Sequence, residues 1–210
     1  MRGTATSAIH VLKFGGSLFQ FEEGPERLRG IIQQLNRRCV IVCGGGAAVD
    51  EIRLHQKDMG LSDQHAHWKA VGIVDENTRR ICKAIQTPVE TTFEGNRPLP
   101  FGFLCHDWLK THGPIPESWA SSSDSIAAVV AGGLSRTSGK EIELSLLKST
   151  LPDINEELDT QEVSIRLAEQ GFVDEFFPKA IRVAQIEKLR IVDVRRQKTL
   201  TFSGAPGTSN

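Results

Sequence analysis

Short apolar runs and amphipathic stretches alternate along the first quarter of the chain. Residues 9–14 (IHVLKF) and 39–43 (CVIVC) are mostly apolar, and each run ends at once in glycines. Residues 25–38 and 47–55 instead place their apolar side chains at the spacing of a helix. A repeated order of strand, glycines and helix is typical of a parallel α/β sheet, whose ligands bind beyond the carboxyl ends of the strands.

The same alternation continues to the end of the chain. Further helices are predicted over 61–85, with Ser62 as the N-cap, within 119–134, with Asp124 at its amino end, and over 162–170 and 181–189. Further strands are predicted over 142–147, 189–194 and 200–202, the last two as an antiparallel pair at the edge of the sheet. Residues 86–118 contain many prolines, which forbid long regular elements, so this segment is either part of a substrate lid or a structural connector.

The composition changes this picture little, because it is that of an ordinary soluble globular protein. The chain has 210 residues and a net charge of -1, which offers no electrostatic reason to expect nucleic acid or an anionic membrane as a partner. No apolar run approaches the roughly 18 residues that span a bilayer, and the start of the chain lacks the apolar core of a signal peptide. The four cysteines form no C-x-x-C pair, which favours reduced thiols in a cytoplasmic protein. We expect a single domain over residues 9–202, with a disordered lead-in at 1–8 and a flexible tail at 203–210.

Lys13 is the unusual residue of the first strand. A charged ammonium group in a buried strand costs several kcal/mol unless an anion pairs with it, so Lys13 needs either a protein carboxylate or a ligand phosphate. Gly15, Gly16 and Ser17 follow it directly, and glycines let backbone N–H groups approach a ligand closely. The alternative is a lysine at the end of a strand that reaches solvent, followed by an ordinary turn.

The two glycine loops match neither of the common phosphate motifs. A Walker loop needs its lysine after the glycines, whereas Lys13 precedes them. The dinucleotide fingerprint needs glycine or alanine where Val49 stands, five residues after Gly44. What remains is a pair of glycine loops, the second at residues 44–46, that end two successive strands and could donate N–H groups to an anion from two sides. Together with Lys13 they favour phosphate binding over two plain tight turns.

Two further charged residues follow at places where a site is expected. Asp124 lies at the amino end of a predicted helix, where it is either an N-cap or the partner of Lys13. Lys148 comes just after the predicted strand at 142–147, and so repeats the pattern of a lysine near the carboxyl end of a strand. His65 and His67 are two residues apart on a helix and point to nearly opposite sides, which argues against a shared metal. His67 alone could face a substrate, or it could be a structural histidine.

Four motifs resemble those of the amino acid kinase family. The sequences KFGGS at 13–17, VCGGG at 42–46, SDSIAA at 123–128 and LLKST at 146–150 occur in the family's order and at its intervals. The family includes acetylglutamate, aspartate, carbamate, uridylate and isopentenyl phosphate kinases. The resemblance covers nearly the whole chain and implies a three-layer α/β/α sandwich around a mainly parallel central sheet.

The resemblance also implies roles for individual residues. In such kinases the residues that match Lys13, Lys148, Gly16 and Gly45 contact the transferring phosphoryl group, and the aspartate that matches Asp124 organises the lysines. Nucleotide binding is implied for Lys13, Gly15, Gly16, Ser17, Lys148, Ser149, Thr150 and Asp153, with Lys179 as a second choice. Substrate binding is implied for Gly44, Gly45, Gly46, His67 and Ser123. The implied cofactors are ATP and Mg²⁺, the latter held mainly by nucleotide phosphates and water, and the implied assembly is a homodimer or larger homo-oligomer.

A narrower resemblance is to the archaeal-type kinase of methanofuran biosynthesis, which phosphorylates 5-(aminomethyl)furan-3-ylmethyl phosphate. It is carried by the phrases LSDQHAHWKAV, PESWASSSDSIAA and FVDEFFPK. Two departures from the wider family stand against a simple transfer of function. The Gly-Met-x-x-Lys segment of acetylglutamate kinases is absent, and the usual Val-Asp-Gly after LLKST is replaced by Leu151, Pro152 and Asp153.

The expected function is ATP-dependent transfer of a phosphoryl group to a phosphate or carboxylate acceptor. A phosphate acceptor is already anionic and needs no general base, whereas an alcohol acceptor would need one, for which His67 is the candidate. The alternatives are a uridylate or aspartate kinase-like enzyme, a nucleotide-binding or storage subunit that has lost catalysis, and a structural partner subunit that binds no nucleotide.

Overall fold

A computed structural model describes residues 8–94, 98–113 and 115–204 of the chain. The elements in chain order are β1 (Ile9–Phe14), α1 (Gly24–Gln34), β2 (Cys39–Cys43), α2 (Ala47–His55), α3 (Asp63–Ala84), β3 (Val89–Glu90), β4 (Phe101–Phe103), α4 (His106–His112), α5 (Ser123–Ser138), β5 (Ile142–Lys148), α6 (Thr160–Glu169), α7 (Phe177–Ala184), β6 (Lys188–Asp193) and β7 (Lys198–Ser203). The predicted lead-in at 1–7, the tail from 205 and Pro114 lie outside the described residues. Ser203, which the sequence places in the tail, ends β7.

The seven strands form one mainly parallel sheet in the order β3-β4-β2-β1-β5-β6-β7. β1 lies at the centre between β2 and β5 and is parallel to both. Only β7 is antiparallel, paired with β6, as predicted for the last two strands. Because the carboxyl ends of parallel strands meet at one edge, the glycine loops and the end of β5 are neighbours there.

Helices cover both faces of the sheet, which confirms the three-layer α/β/α sandwich. Alternate strand residues point to opposite faces, so Val11 and Leu12 enter different cores. The core on the Val11 side contains side chains from α4, α5, α6 and α7. The core on the Leu12 side contains side chains from α1 and from the last turns of α3. No helix within the described ranges is long and apolar enough to cross a membrane.

Two helix predictions need correction. α1 stops at Gln34 rather than at 38, because Asn36 and Arg37 have positive φ angles of 50° and 60°. The predicted connector at 172–179 and helix at 181–189 become α7, which starts at Phe177 with a proline in its first turn and ends before the left-handed Gln185. The bounds of β2 and α2 are as predicted.

The proline-rich segment contains more regular structure than its sequence predicts. Two short strands, β3 and β4, and the seven-residue helix α4 lie within it. Its aromatic rings pack on one another in the core, with the Phe93 and Phe103 centroids 4.1 Å apart and Trp108 against both. This burial favours the structural connector over the substrate lid for the described part of the segment.

The four cysteines are buried and free, as expected for reduced core thiols. Burial raises the pKa of Cys39 and Cys82 to about 12, so these thiols stay protonated and unreactive at neutral pH.

Candidate active site

The two glycine loops touch each other at the carboxyl edge of the sheet. β1 and β2 are in register, with Phe14 opposite Cys43, so the loops that follow them start side by side. A Cβ added to Gly16 would lie 2.3 Å from the backbone nitrogen of Gly46, closer than any real side chain allows. Gly46 also has a φ of 59°, a conformation that favours glycine. The glycines are therefore required by the approach of the two backbones.

This contact leaves three backbone N–H groups available at the loops. The N–H groups of Gly15 and Gly44 extend the strand ladders by donating to the carbonyls of Leu147 and Phe14, at 2.8 and 2.7 Å. The N–H groups of Gly16, Gly45 and Gly46 have no acceptor among the described residues. Grouped N–H donors of this kind form an anion-binding concavity. Gly16 and Gly45 were the two donors predicted from the sequence.

We expect Gly16→Ala to damage this arrangement. The new methyl group would push the two loops apart, with a loss of about 1–3 kcal/mol in the free energy of unfolding and at least a tenfold loss of turnover. The matched control is Gly72→Ala in α3, where an added Cβ meets nothing within 4 Å. That variant should gain roughly 0.5–1 kcal/mol because alanine favours the helix. Thermal unfolding and ATP turnover are measured for both variants. A Gly16→Ala protein with the stability and turnover of wild type would contradict the close contact between the two loops.

Asp124 lies between the two predicted lysines and pairs with both. Its Oδ1 is 2.9 Å from Nζ of Lys13, and its Oδ2 is 2.9 Å from Nζ of Lys148. All three residues are largely buried. Of the two interpretations of Asp124, the structure supports the partner of Lys13, because the N-cap of α5 is Ser122 and Asp124 is the second residue of the helix. The predicted need of Lys13 for an anion is met by this carboxylate.

Asp124 is ionised at neutral pH although it is buried. Burial by itself would raise the pKa of Asp124, but the two ammonium groups outweigh it and lower the pKa to about 2. Burial also lowers the pKa of Lys148, and Asp124 opposes that change. Two ammonium groups share one carboxylate, which leaves the cluster with an excess positive charge next to the free N–H groups. That combination suits a phosphate group.

Lys148 is held by a second segment of the chain as well. Its Nζ donates to the carbonyl of Phe172 at 3.1 Å and lies 4.9 Å from the centre of the Phe172 ring. This segment is fixed by Asp174, which accepts hydrogen bonds from the hydroxyl of Ser122 at 2.7 Å and from the backbone N–H of Ser125 at 3.2 Å. Asp174 thus connects the segment that contacts Lys148 to the start of α5. Asp174 lies in the phrase FVDEFFPK at 172–179, but it was not predicted as a site residue.

The other residues with a predicted nucleotide role are placed unevenly. Ser17 and Ser149 meet, with 3.2 Å between their hydroxyl oxygens, so the first glycine loop touches the end of β5. Thr150 is exposed next to them. Asp153 is exposed too, and its carbonyl accepts from Gln170 at 2.9 Å. Lys179 lies on α7, with its ammonium group 5.7 Å from the Phe176 ring. Among the described residues, neither side chain makes a hydrogen bond or an ion pair with the Lys13–Asp124–Lys148 cluster, and their nucleotide role stays a prediction.

A small pocket opens beside the second glycine loop. Its wall contains three of the residues with a predicted substrate role, Gly45, His67 and Ser123. Arg53 of α2 also lines it, and its guanidinium group stacks on the ring of Trp119 at 4.6 Å. Because Ser123 precedes Asp124 directly, this pocket adjoins the lysine cluster. A larger groove of about 660 Å³ lies between α1 and the strands β6 and β7, but none of the predicted site residues lines it.

Asn77 of α3 supports the second glycine loop from behind. Its amide nitrogen donates to the carbonyls of Gly44 and Gly45 at 2.8 and 3.0 Å. Two consecutive carbonyls held on one side orient the loop. We did not predict Asn77, Arg53 or Asp174 from the sequence, because a single polar residue on a helix or loop carries no motif.

Comparisons with known proteins agree with this geometry. The model of the family described as "Amino acid kinase family" matches residues 8–93. UMP kinase from Ureaplasma parvum superposes with a TM-score of 0.61 at 11% identity, and covers 94% of this chain and 100% of its own. The fold is that of the amino acid kinases. No curated protein matches the chain by sequence.

Other amino acid kinase structures superpose on the chain in the same way. Uridylate kinase from Archaeoglobus fulgidus has a TM-score of 0.59 at 16% identity, over 94% of this chain and 92% of its own. Aspartate kinase from Clostridium acetobutylicum has a TM-score of 0.51 at 11% identity, over 94% of this chain and 62% of its own. The family match includes Lys13 and both glycine loops but ends before Asp124 and Lys148. The assignment of Asp124 and Lys148 to the candidate site therefore rests on the geometry and not on the family match.

Proposed function

We propose that the protein is an ATP-dependent kinase of the amino acid kinase family that phosphorylates a phosphate or carboxylate acceptor. The observation that carries the proposal is the pairing of Asp124 with both Lys13 and Lys148, at 2.9 Å each, beside the free N–H groups of two glycine loops. The fold supports a kinase, since UMP and aspartate kinases share it. UMP carries a phosphate group and aspartate carries carboxylates, so the names of those two kinases cover both kinds of acceptor.

The residues fit the demands of phosphoryl transfer, which needs positioning and charge neutralisation more than covalent chemistry. Lys13 and Lys148 would flank the transferring group, and Gly16 and Gly45 would donate N–H bonds to its oxygens. Asp124 would hold the two ammonium groups at a fixed separation. Ser17 and Ser149 lie where the nucleotide phosphates would follow.

Magnesium would enter this site bound to the nucleotide and not to protein side chains. Across residues 8–94, 98–113 and 115–204, no group of three or more His, Cys, Asp or Glu side chains could hold a metal ion. Asp124 already shares both oxygens with lysines. Magnesium carried by the nucleotide would neutralise phosphate charge, with nucleotide oxygens and water as its ligands.

The pocket beside Gly45 is the proposed place of the acceptor. It adjoins the lysine cluster through Ser123, and Arg53 at its rim offers a positive charge to an anionic acceptor. An acceptor that is already anionic needs no general base to attack. Within this class, 5-(aminomethyl)furan-3-ylmethyl phosphate is the acceptor suggested by the narrower sequence resemblance.

An ADP-release screen tests the proposal. The full chain with ATP and Mg²⁺ is offered 5-(aminomethyl)furan-3-ylmethyl phosphate, UMP, isopentenyl phosphate, acetylglutamate and aspartate. We expect turnover on at least one of them, with ADP and phosphorylated acceptor in equal amounts. Tight ATP binding without turnover would contradict the proposal and favour a subunit that has lost catalysis. No nucleotide binding at all would favour a structural subunit. The homodimer or larger homo-oligomer stays a prediction, which light scattering on the same sample can check.

A further inference from the structure

His67 lines the pocket beside Gly45 and has a buried nitrogen atom without a hydrogen-bond partner among the described residues. It lies on α3 with 2% of its surface exposed, and its ring packs edge-on against Trp68 with 5.1 Å between centroids. Its Nδ1 is 3.2 Å from the carbonyl oxygen of Ser118. Its Nε2 is shielded from water and has no hydrogen-bond partner in the described part of the chain. The side chain lines the same pocket as Gly45 and Ser123.

The hydrogen bond at one nitrogen of His67 determines the state of the other. The carbonyl of Ser118 can only accept, so Nδ1 must carry a hydrogen and donate it. Burial lowers the pKa of His67 below its ordinary value, against the opposing effects of the Ser118 carbonyl and Glu117. The ring is therefore neutral at pH 7. In a neutral ring with hydrogen on Nδ1, Nε2 has a bare lone pair and is only a hydrogen-bond acceptor.

A buried acceptor atom without a partner is uncommon in folded proteins, because it has lost its bond to water and gained nothing in return. The pocket walls contain apolar side chains such as Val71 and Val74, and no hydroxyl or N–H group of the described residues donates to Nε2. A phosphate or carboxylate oxygen would be repelled by the lone pair of Nε2. The anionic group of the acceptor therefore belongs at the Gly45 amide and Arg53, and a different group of the acceptor must face His67.

We infer that the acceptor carries a hydrogen-bond donor, either a hydroxyl or an amine N–H, that bonds to Nε2 of His67. This inference rests on the proposed function, because it takes the pocket beside Gly45 as the acceptor site. It narrows the acceptor class to phosphates or carboxylates that bear a hydroxyl or amine on an apolar body. His67 then selects the acceptor by its donor group.

The state of Nε2 can be tested without any substrate. The full chain is labelled with ¹⁵N-histidine, and nitrogen NMR spectra are recorded at pH 7.5. We expect His67 to show a protonated Nδ1 and an unprotonated Nε2, with the signals assigned by their loss in His67→Gln. A protonated Nε2 would overturn the inference, because that atom could then donate to an anion.

Two substitutions test the contact with the acceptor. His67→Phe keeps an aromatic ring beside Trp68 but removes the acceptor atom, so we expect KM for the acceptor found in the screen to rise at least tenfold. KM for ATP should stay within twofold. His67→Gln restores an acceptor oxygen and should recover most of the loss. His65→Phe is the matched control, because His65 is exposed two residues away on the same helix, and it should match wild type.

The acceptor series separates this inference from the proposed function. UMP offers hydroxyl donors and 5-(aminomethyl)furan-3-ylmethyl phosphate offers an amine, whereas isopentenyl phosphate has no donor outside its phosphate. We expect wild-type turnover to favour one of the two donor-bearing acceptors over isopentenyl phosphate. Two results would overturn this inference without contradicting the proposed kinase activity. One is a preference for isopentenyl phosphate, and the other is an equal KM for the acceptor in wild type and His67→Phe. Loss of turnover on every acceptor would instead contradict the proposed function.

Discussion

Replacing Lys13 by alanine should reduce phosphoryl transfer at least about 10³-fold, the largest effect of any single change in the site. Under the proposed function its ammonium group would be one of two positive charges beside the transferring group, and its burial excludes water that could replace it. Asp124 would still pair with Lys148 at 2.9 Å, so the chain should fold. Initial rates of ADP release at saturating ATP and acceptor measure the effect.

Two more variants make the Lys13 result interpretable. Lys13→Met keeps an unbranched side chain in the core and removes only the charge, so it should lose as much turnover as Lys13→Ala with less loss of stability. The control is Lys140→Ala, because Lys140 is exposed in the turn before β5, at the opposite edge of the sheet. Near-normal turnover in Lys13→Met would show that the charge has no part in catalysis.

Asp124→Asn should lower kcat roughly 10²-fold and change the KM for ATP much less. The amide cannot neutralise two ammonium groups, so Lys13 and Lys148 would repel each other and leave the positions that the carboxylate holds. Removing one partner of a buried ion pair costs roughly 3–5 kcal/mol, so the free energy of unfolding should fall as well. Steady-state kinetics and urea unfolding of the same preparation separate the two effects.

The two interpretations of Asp124 predict different outcomes for this variant. Asparagine is as good an N-cap as aspartate, so an N-cap at 124 would tolerate the change in both stability and turnover. Asp159 provides the control, because its side chain caps α6 by accepting from the N–H of Glu162 at 2.8 Å. Asp159→Asn should behave as wild type. If Asp124→Asn also retained normal kcat, the organising role of Asp124 would be wrong.

Local sequence predicted the parts of the fold that neighbouring residues control. β2 and α2 have the predicted bounds, because an unbroken apolar run and a glycine turn decide both ends of each element. The prediction was wrong where distant packing intervenes. α4 forms in the proline-rich segment because Asp75 of α3 accepts from the backbone N–H groups of Cys105 and His106, at 2.7 and 3.2 Å. A carboxylate thirty residues away leaves no mark in the local pattern.

The sequence predicted which residues belong to the candidate site better than it predicted the contacts between them. Lys13, Asp124 and Lys148 were all named from the sequence, since a charged residue at a strand or helix end is conspicuous. The need of Lys13 for an anion followed from its burial, but carboxylate and phosphate were equal answers. Only the packing of α5 over the end of β1 decided for Asp124. Lys179, the second choice, lies on α7 beside the Phe176 ring, and its nucleotide role stays a prediction.

By itself the sequence determined that glycine loops end two parallel strands and that a lysine is buried beside the first of them. These features depend on residues within a few positions of one another, where apolar runs and glycines restrict the backbone directly. The tertiary structure decided that the loops touch, that one carboxylate holds two lysines, and that Nδ1 of His67 lies 3.2 Å from the carbonyl oxygen of Ser118. Each of these contacts joins residues 24 to 111 positions apart, and only the assembled sheet and its helices bring such residues together.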